Sequence, residues 1–133
     1  NLSMMKKTIK LLLSVLLIVT VVKAADVFDD IGTAIRSGDA KQIARFFNNN
    51  VDLTIFNQEE VYSKAQAEMV LKDFFSKNAP KSFTIIHKGV SKEGARYAIG
   101  TFTTTQGQNI RTYFFVKESG GTASIQELRF EKE

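Results

Sequence analysis

No cysteine and no tryptophan occur among the 133 residues, and there is one proline, Pro80, and one histidine, His87. Without cysteine there is no disulfide and no thiolate metal site, so the fold rests on its core alone. A lone histidine with no cysteine gives no transition-metal cluster, and no metal ligand is assigned. A Gly-x-Ser-x-Gly elbow, a Gly-rich phosphate loop and a P-loop lysine are also absent, so no catalytic residue and no cofactor is assigned. Phenylalanine supplies most of the aromatic content, with 11 Phe against 3 Tyr. It is not interleaved with a basic stripe, which argues against nucleic acid as a partner.

The excess of positive charge, +4 over the whole chain, is concentrated at one end. Lys6, Lys7 and Lys10 precede an apolar run from Leu11 to Val22, interrupted only by Ser14 and Thr20. Val22-Lys23-Ala24 then places suitable residues at the −3 and −1 positions of a cleavage site, the pattern of a secretory signal peptide. The run is about a dozen residues, short of the roughly 20 needed to span a bilayer. The expected division is a signal over residues 1–24, cleaved after Ala24, and a single domain over 25–133. Asn1-Leu2-Ser3 stand upstream of Met4 and Met5 and carry no fold information. Without the four signal lysines the remainder has 14 basic and 14 acidic residues. The precursor's basic pI therefore does not argue for nucleic acid or an anionic membrane. The expected location is periplasmic or secreted. No membrane attachment is expected after cleavage, and no lipid anchor, since no cysteine follows the signal.

Local patterns predict helix, helix, strand, strand, helix and then four strands. Asp26 caps a helix carrying Phe28, Ile31 and Ile35 and ended by Gly38; Asp39 caps a shorter one stopped by Asn48-Asn49-Asn50. Val51, Leu53 and Ile55 alternate as in a half-buried strand. A turn at Asn57-Gln58-Glu59 leads to a short return strand, Glu60-Val61-Tyr62. Ser63-Lys64-Ala65-Gln66 reads as a capping box for the longest helix, Lys64 to Lys77, whose stripe is Ala67, Val70, Leu71, Phe74 and Phe75. Strands follow at Phe83–Val90, Ala95–Thr103, Ile110–Lys117 and Ala123–Phe130, joined by short turns that demand an antiparallel meander. Helices segregated from an antiparallel sheet give an α+β domain.

This order resembles the nuclear-transport-factor-2-like superfamily, also called cystatin-like or ketosteroid-isomerase-like. The resemblance rests on the paired N-terminal helices, the hairpin feeding the long helix, and strands of the type Tyr97-Ala98-Ile99-Gly100 and Arg111–Lys117. In detail the chain is most similar to a small exported family from Bacteroides-type bacteria, domain of unknown function 4783. The resemblance implies a cone-like bent sheet of order ααββαββββ with helices on its concave side, often a pocket, and frequent dimerisation. It implies no function, because the fold hosts isomerases, dehydratases, carriers and binding modules.

Tight turns at Lys92-Glu93 and Gln106-Gly107 predict a register in which Phe83 faces Phe102, Ile85 faces Gly100 and His87 faces Ala98. Phe102 then faces Arg111, Gly100 faces Tyr113 and Ala98 faces Phe115. One sheet face then carries Ile86, Val90, Tyr97, Ile99, Ile110, Phe114 and Val116 and is assigned to the core. The other carries Phe83, Ile85, His87, Phe102, Arg111, Tyr113 and Phe115. Its mixture of aromatic and Arg residues suits a partner interface, and extra core is the alternative. Gly100 is read as the point where the sheet bends.

His87 is the natural acid–base candidate. In this register Tyr113 lies about 12 Å from it, too far for a dyad. Asp52 and Tyr97 are the candidates for a ligand pocket, with outward-facing structural roles as the alternative. Glu59-Glu60 reads as a solvated turn pair rather than a paired-carboxylate site. The leading expectation is an exported, non-enzymatic binding module. Its expected partner is a second copy or an envelope protein, with a small apolar ligand beneath the long helix as an addition. The alternative is an isomerase- or dehydratase-type enzyme using Asp52, His87 or Tyr97 in a pocket.

Overall fold

A computed structural model describes residues 26–92 and 94–133. The expected leader and cleavage site, and Glu93 of the expected first meander turn, lie outside the described residues. In chain order the elements are α1 (Val27–Ser37), α2 (Ala40–Ala44), β1 (Phe47–Ile55), β2 (Gln58–Ser63), α3 (Lys64–Lys77), β3 (Pro80–Val90), β4 (Ala95–Thr104), β5 (Asn109–Ser119) and β6 (Thr122–Lys132).

The helix ends follow their local chemistry. The Asp26 carboxylate accepts from the Phe28 N–H at 3.1 Å, satisfying one of the free donors at the start of α1. Gly38 closes α1 in the left-handed region, at φ 67°, where its N–H donates to the Ile35 carbonyl. Asp39 accepts from the N–H groups of Lys41 and Gln42 to start α2. Both halves of the capping box form at α3: the Ser63 hydroxyl accepts from Gln66 N–H, and the Gln66 side chain accepts from Ser63 N–H. Two boundaries differ from expectation. Asn48–Asn50 belong to β1, because buried Phe47 already pairs with Ile125 of β6. The β1–β2 turn is Phe56-Asn57, so β2 starts at Gln58. Phe56 tolerates φ 56° there because its N–H donates to the Phe130 carbonyl at 2.7 Å and its ring packs edge-on against Phe74.

The strand order is β2-β1-β6-β5-β4-β3. Its meander is antiparallel as expected, but β1 and β6 run parallel, so the sheet is mixed rather than wholly antiparallel. That pairing joins strands some seventy residues apart in sequence, which no local pattern encodes. The fold is α+β, an open sheet with three helices among the described residues.

The helices pack on one face, here called inner. Phe28 of α1 meets Phe114 edge-on at 5.5 Å. Beneath α3, Phe74 lies 4.5 Å from Phe130, and Phe75 and Phe102 complete the aromatic cluster. Gly100 is the close-packing point of this face: a methyl group there would sit 2.7 Å from both the Phe83 ring and the Thr84 carbonyl oxygen.

Two departures from the predicted register decide which residues face inwards. The β3–β4 hairpin pairs Phe83 with Phe102 and Ile85 with Gly100 as expected. A bulge at Ile86 then shifts His87 opposite Ile99. The β4–β5 connection is longer than a tight turn. Thr104 N–H donates to the Gln108 carbonyl, and the Thr104 hydroxyl accepts from Gln108 N–H. Phe102 therefore pairs with Ile110 rather than Arg111, and Gly100 with Thr112 rather than Tyr113. A one-residue slip turns every side chain of one strand relative to its neighbour.

Candidate functional site

The corrected register sorts the predicted face residues. Phe83 and Phe102 are 2% and 0% exposed and belong to the core, not to an interface. Ile85 also points inwards, where its side chain packs beside Gly32 of α1. Conversely Tyr97 and Ile99, assigned to the core, lie on the outer face, and Ile86 and Val90 are 66% and 79% exposed. The β5 assignments stand: Ile110, Phe114 and Val116 are buried, while Arg111, Tyr113 and Phe115 face out.

The outer face is built from alternate residues of six strands. One row across the sheet is Val61, Asp52, Glu127, Phe115, Tyr97 and Gly89; the next is Glu59, Thr54, Arg129, Tyr113, Ile99 and His87. The two rows divide into unlike halves. On β5 and β4 lie Phe115, Tyr113, Tyr97 and Ile99, all half-buried although no helix among the described residues covers them. Tyr97 and Tyr113 have ring centroids 6.1 Å apart. The Tyr97 ring lies across its directly paired neighbour Gly89, at a spot where any side chain would overlap it. This pairing leaves the Tyr97 hydroxyl 3.3 Å from His87 Nε2. His87 therefore does have a polar neighbour, which the predicted register had placed on the opposite face.

On β2, β1 and β6 lie Glu59, Asp52, Glu127 and Arg129. Arg129 pairs with Glu127 and also lies over the Tyr113 ring, 5.7 Å from its centroid. A hydrogen bond with Asp52 and that group's negative charge hold the Glu59 carboxyl above the usual carboxylate range. Burial, with a contribution from the charge of Glu127, raises the Tyr113 hydroxyl. Glu59 is exposed, as expected of a solvated residue, and lies diagonally from Asp52 on the same face of the hairpin. The Thr54 hydroxyl is buried between these groups without a hydrogen-bond partner. Sequence reading missed Glu127 and Arg129, because the parallel β1–β6 contact brings them beside Asp52 and Thr54.

Asp52 and Tyr97 face outwards, and the space between α3 and the sheet is filled by the phenylalanine cluster. Asp52, His87 and Tyr97 are therefore not gathered in the space beneath α3. On the helix side one cavity of about 260 Å³ lies at the rim, between α3 and the β1–β2 hairpin, and an open one of about 600 Å³ lies between the α1–α2 corner and α3. The apolar lining of the rim cavity includes Leu53, Ile55, Phe56, Tyr62 and Val70, with Asp73, Lys77 and Asn78 at one side.

His87 also borders an open groove of about 630 Å³ between α1 and the free edge of β3. Charged groups of this groove are engaged within the chain. Arg36 donates to the Phe83 carbonyl at 3.0 Å, and Lys88 pairs with Asp26 and Asp29 at 3.4 and 3.8 Å. With the bulge, Pro80 and Lys88, the Arg36 contact blunts an edge strand that would otherwise invite pairing.

A family of known extent covers this arrangement. The domain of unknown function DUF4783 matches residues 28–131. The chain belongs to this family. Two solved DUF4783 proteins illustrate the likeness. The one from Bacteroides uniformis ATCC 8492 is 26% identical, with 81% of this chain and 98% of that one covered and a TM-score of 0.75. The one from Bacteroides fragilis YCH46 is 30% identical, with 78% and 96% covered and a TM-score of 0.72. A domain of unknown function with a cystatin-like fold from Nostoc punctiforme shares the fold alone, at 9% identity, 80% and 72% coverage and a TM-score of 0.63. Nothing among curated proteins matches. The expected family and fold thus hold for this DUF4783 domain. Among the described residues no helix is long and apolar enough to cross a membrane.

Proposed function

We propose that this DUF4783 domain is an exported, non-catalytic binding module that associates with a second copy of itself through the outer face of its sheet. The observation that carries this reading is the contiguous set Tyr97, Ile99, Tyr113 and Phe115, half-buried on a face that no helix among the described residues covers. An exposed aromatic patch rimmed by polar groups, with arginine at its border, has the composition of an interface core and rim. The reading keeps Arg111, Tyr113, Phe115 and His87 from the expected interface and replaces Phe83, Ile85 and Phe102 by Tyr97 and Ile99.

Native mass spectrometry of the purified protein tests both parts. The expected spectrum is a dimer whose subunits begin at Ala25. A monomer at tens of micromolar contradicts self-association, and a retained leader contradicts processed export. The 260 Å³ rim cavity supports a second, additional reading, a small apolar ligand seated against Phe56, Tyr62 and Val70. Its volume is just below the range of about 300–1,000 Å³ for small-molecule sites, so only a compact molecule fits. The same spectrum reads it as a mass increment on each subunit, and unliganded subunits contradict it.

A further inference from the structure

The acidic half of the outer face is built around β1. Asp52 and Thr54 are alternate residues of that strand and share one face. On the hairpin side Thr54 pairs with Glu59 and Asp52 with Val61. On the other side Thr54 pairs with Arg129 and Asp52 with Glu127. Three carboxyl groups against the Arg129 guanidinium leave the cluster net acidic. At its centre Thr54 is 8% exposed, and its Oγ1 is shielded from water with no hydrogen-bond partner. The Asp52 Oδ1 is shielded and unpartnered in the same way. A hydroxyl buried without a partner costs stability, and an apolar residue of the same shape would avoid that cost. The hydroxyl therefore calls for a reason outside the fold.

We propose that this cluster is a binding site for a primary alkylammonium group, seated over β1 between Asp52 and Glu59 with the Thr54 hydroxyl beneath it. An ammonium carries three donors spread about one nitrogen and no acceptor. Its acceptors here come from two adjacent strands, within about 7 Å along β1 and about 5 Å across to β2, so they surround one point. A guanidinium presents its donors as a planar fork and suits a single carboxylate edge. One already occupies the far side of the site, where Arg129 pairs with Glu127. A metal ion is a poorer match: among the described residues no three His, Cys, Asp or Glu side chains are placed to hold one.

The alkyl chain has its own wall. Val61, paired with Asp52 on the same face, is 65% exposed. The way in is past Glu59, an exposed side chain on the outermost strand. The raised pKa of Glu59 agrees with this placement, since a proton held between Glu59 and Asp52 occupies the position a cation would take. The site does not depend on self-association. Its ammonium comes either from a free amine or from a lysine of a second copy, and the test separates the two.

Amide NMR spectra of the purified protein are followed near neutral pH as n-butylammonium chloride is added. Tetramethylammonium chloride at equal ionic strength is the control, having the charge but no N–H donor. The expected result is saturable shifts with the butyl compound only, centred on Asp52, Thr54, Glu59 and Val61. Thr54→Val should weaken binding about fivefold, the loss of one hydrogen bond, while melting no earlier than wild type. Equal responses to the two cations, or a Thr54→Val protein that binds as tightly as wild type, overturn the proposal. Sedimentation with and without saturating n-butylammonium then identifies the source. Dissociation of a dimer assigns the site to a lysine of the second copy, and unchanged sedimentation assigns it to a free amine. A wild type that is monomeric yet binds the amine contradicts self-association alone, so the two readings fail separately.

Discussion

The two faces of this sheet are made by alternate residues of the same strands, yet they solve different problems. The inner face is sealed: Phe102, Phe114, Leu128 and Phe130 are all fully buried under three helices. The outer face carries side chains of similar size, Tyr97, Tyr113 and Phe115, that remain half-buried, with an acidic cluster beside them. A solvated face of an antiparallel sheet normally alternates to polar residues. Here aromatic residues persist on both sides, so inner contacts account for stability and outer ones are free to serve recognition.

The largest effect separating the faces is expected from paired truncations. Phe102→Ala should cost about 3–5 kcal/mol of unfolding free energy, since it opens a cavity within the phenylalanine cluster. Phe115→Ala should cost about 1 kcal/mol in dilute solution and weaken association at least tenfold. Urea denaturation and sedimentation read the two quantities. Equal stability losses would dissolve the distinction between the faces.

Two glycines sharpen it further. Gly100→Ala sets a methyl group against the Phe83 ring and the Thr84 carbonyl inside a packed layer, and should cost about 1–3 kcal/mol. Gly89→Ala should displace the Tyr97 ring, which can swing into solvent. Stability then changes by less than about 1 kcal/mol while association falls, because the patch loses its flat ring. Thermal melts of both variants, with a dimer assay, test this.

Much of this was readable in the sequence, and the failures have physical causes. The capping box at Ser63 and the stripe from Ala67 to Phe75 placed α3 at its observed ends, because both signals are local. The inside-outside pattern of β5 was also legible. What misled was the joining of β5 to β4. Thr103-Thr104-Thr105 looks like strand running into a tight turn, but the Thr104 hydroxyl closes a longer loop and moves the pairing by one residue. The bulge at Ile86 then returned His87 to the outer face by an independent shift. Fragments read correctly were thus joined one residue out of register. Asp52 and Glu59 were in view through the β1–β2 hairpin, but Glu127 and Arg129 beside them were not, since they depend on the parallel contact between β1 and β6.

Smaller effects separate the charged groups of the two sides. Asp26, at the helix-side rim, is held below its ordinary value of 3.8 chiefly by the Phe28 N–H, with help from Lys88 and Arg96. Its contribution is present above pH 3.8 and lost as pH falls through the depressed value. Asp26→Ala should cost about 1 kcal/mol, and Asp26→Asn less because asparagine still caps. Glu59 on the outer side has the opposite sign. Its pKa is raised above 4.5, so its contribution is full at lower pH and is lost as pH rises through the raised value. Glu59→Gln should flatten that part of the stability–pH curve. The smallest change expected is a gain: Thr54→Val removes a buried hydroxyl without a partner and should stabilise by up to about 1 kcal/mol.

The central claim is that recognition belongs to the outer face and stability to the inner. Sedimentation velocity across a concentration series, on wild type and on the Tyr97→Ser, Phe115→Ser double variant, tests it most directly. The account predicts a wild-type dimer, and a double variant that is monomeric with a circular dichroism spectrum unchanged. A wild type that stays monomeric, or a folded double variant that dimerises as tightly as wild type, would contradict it.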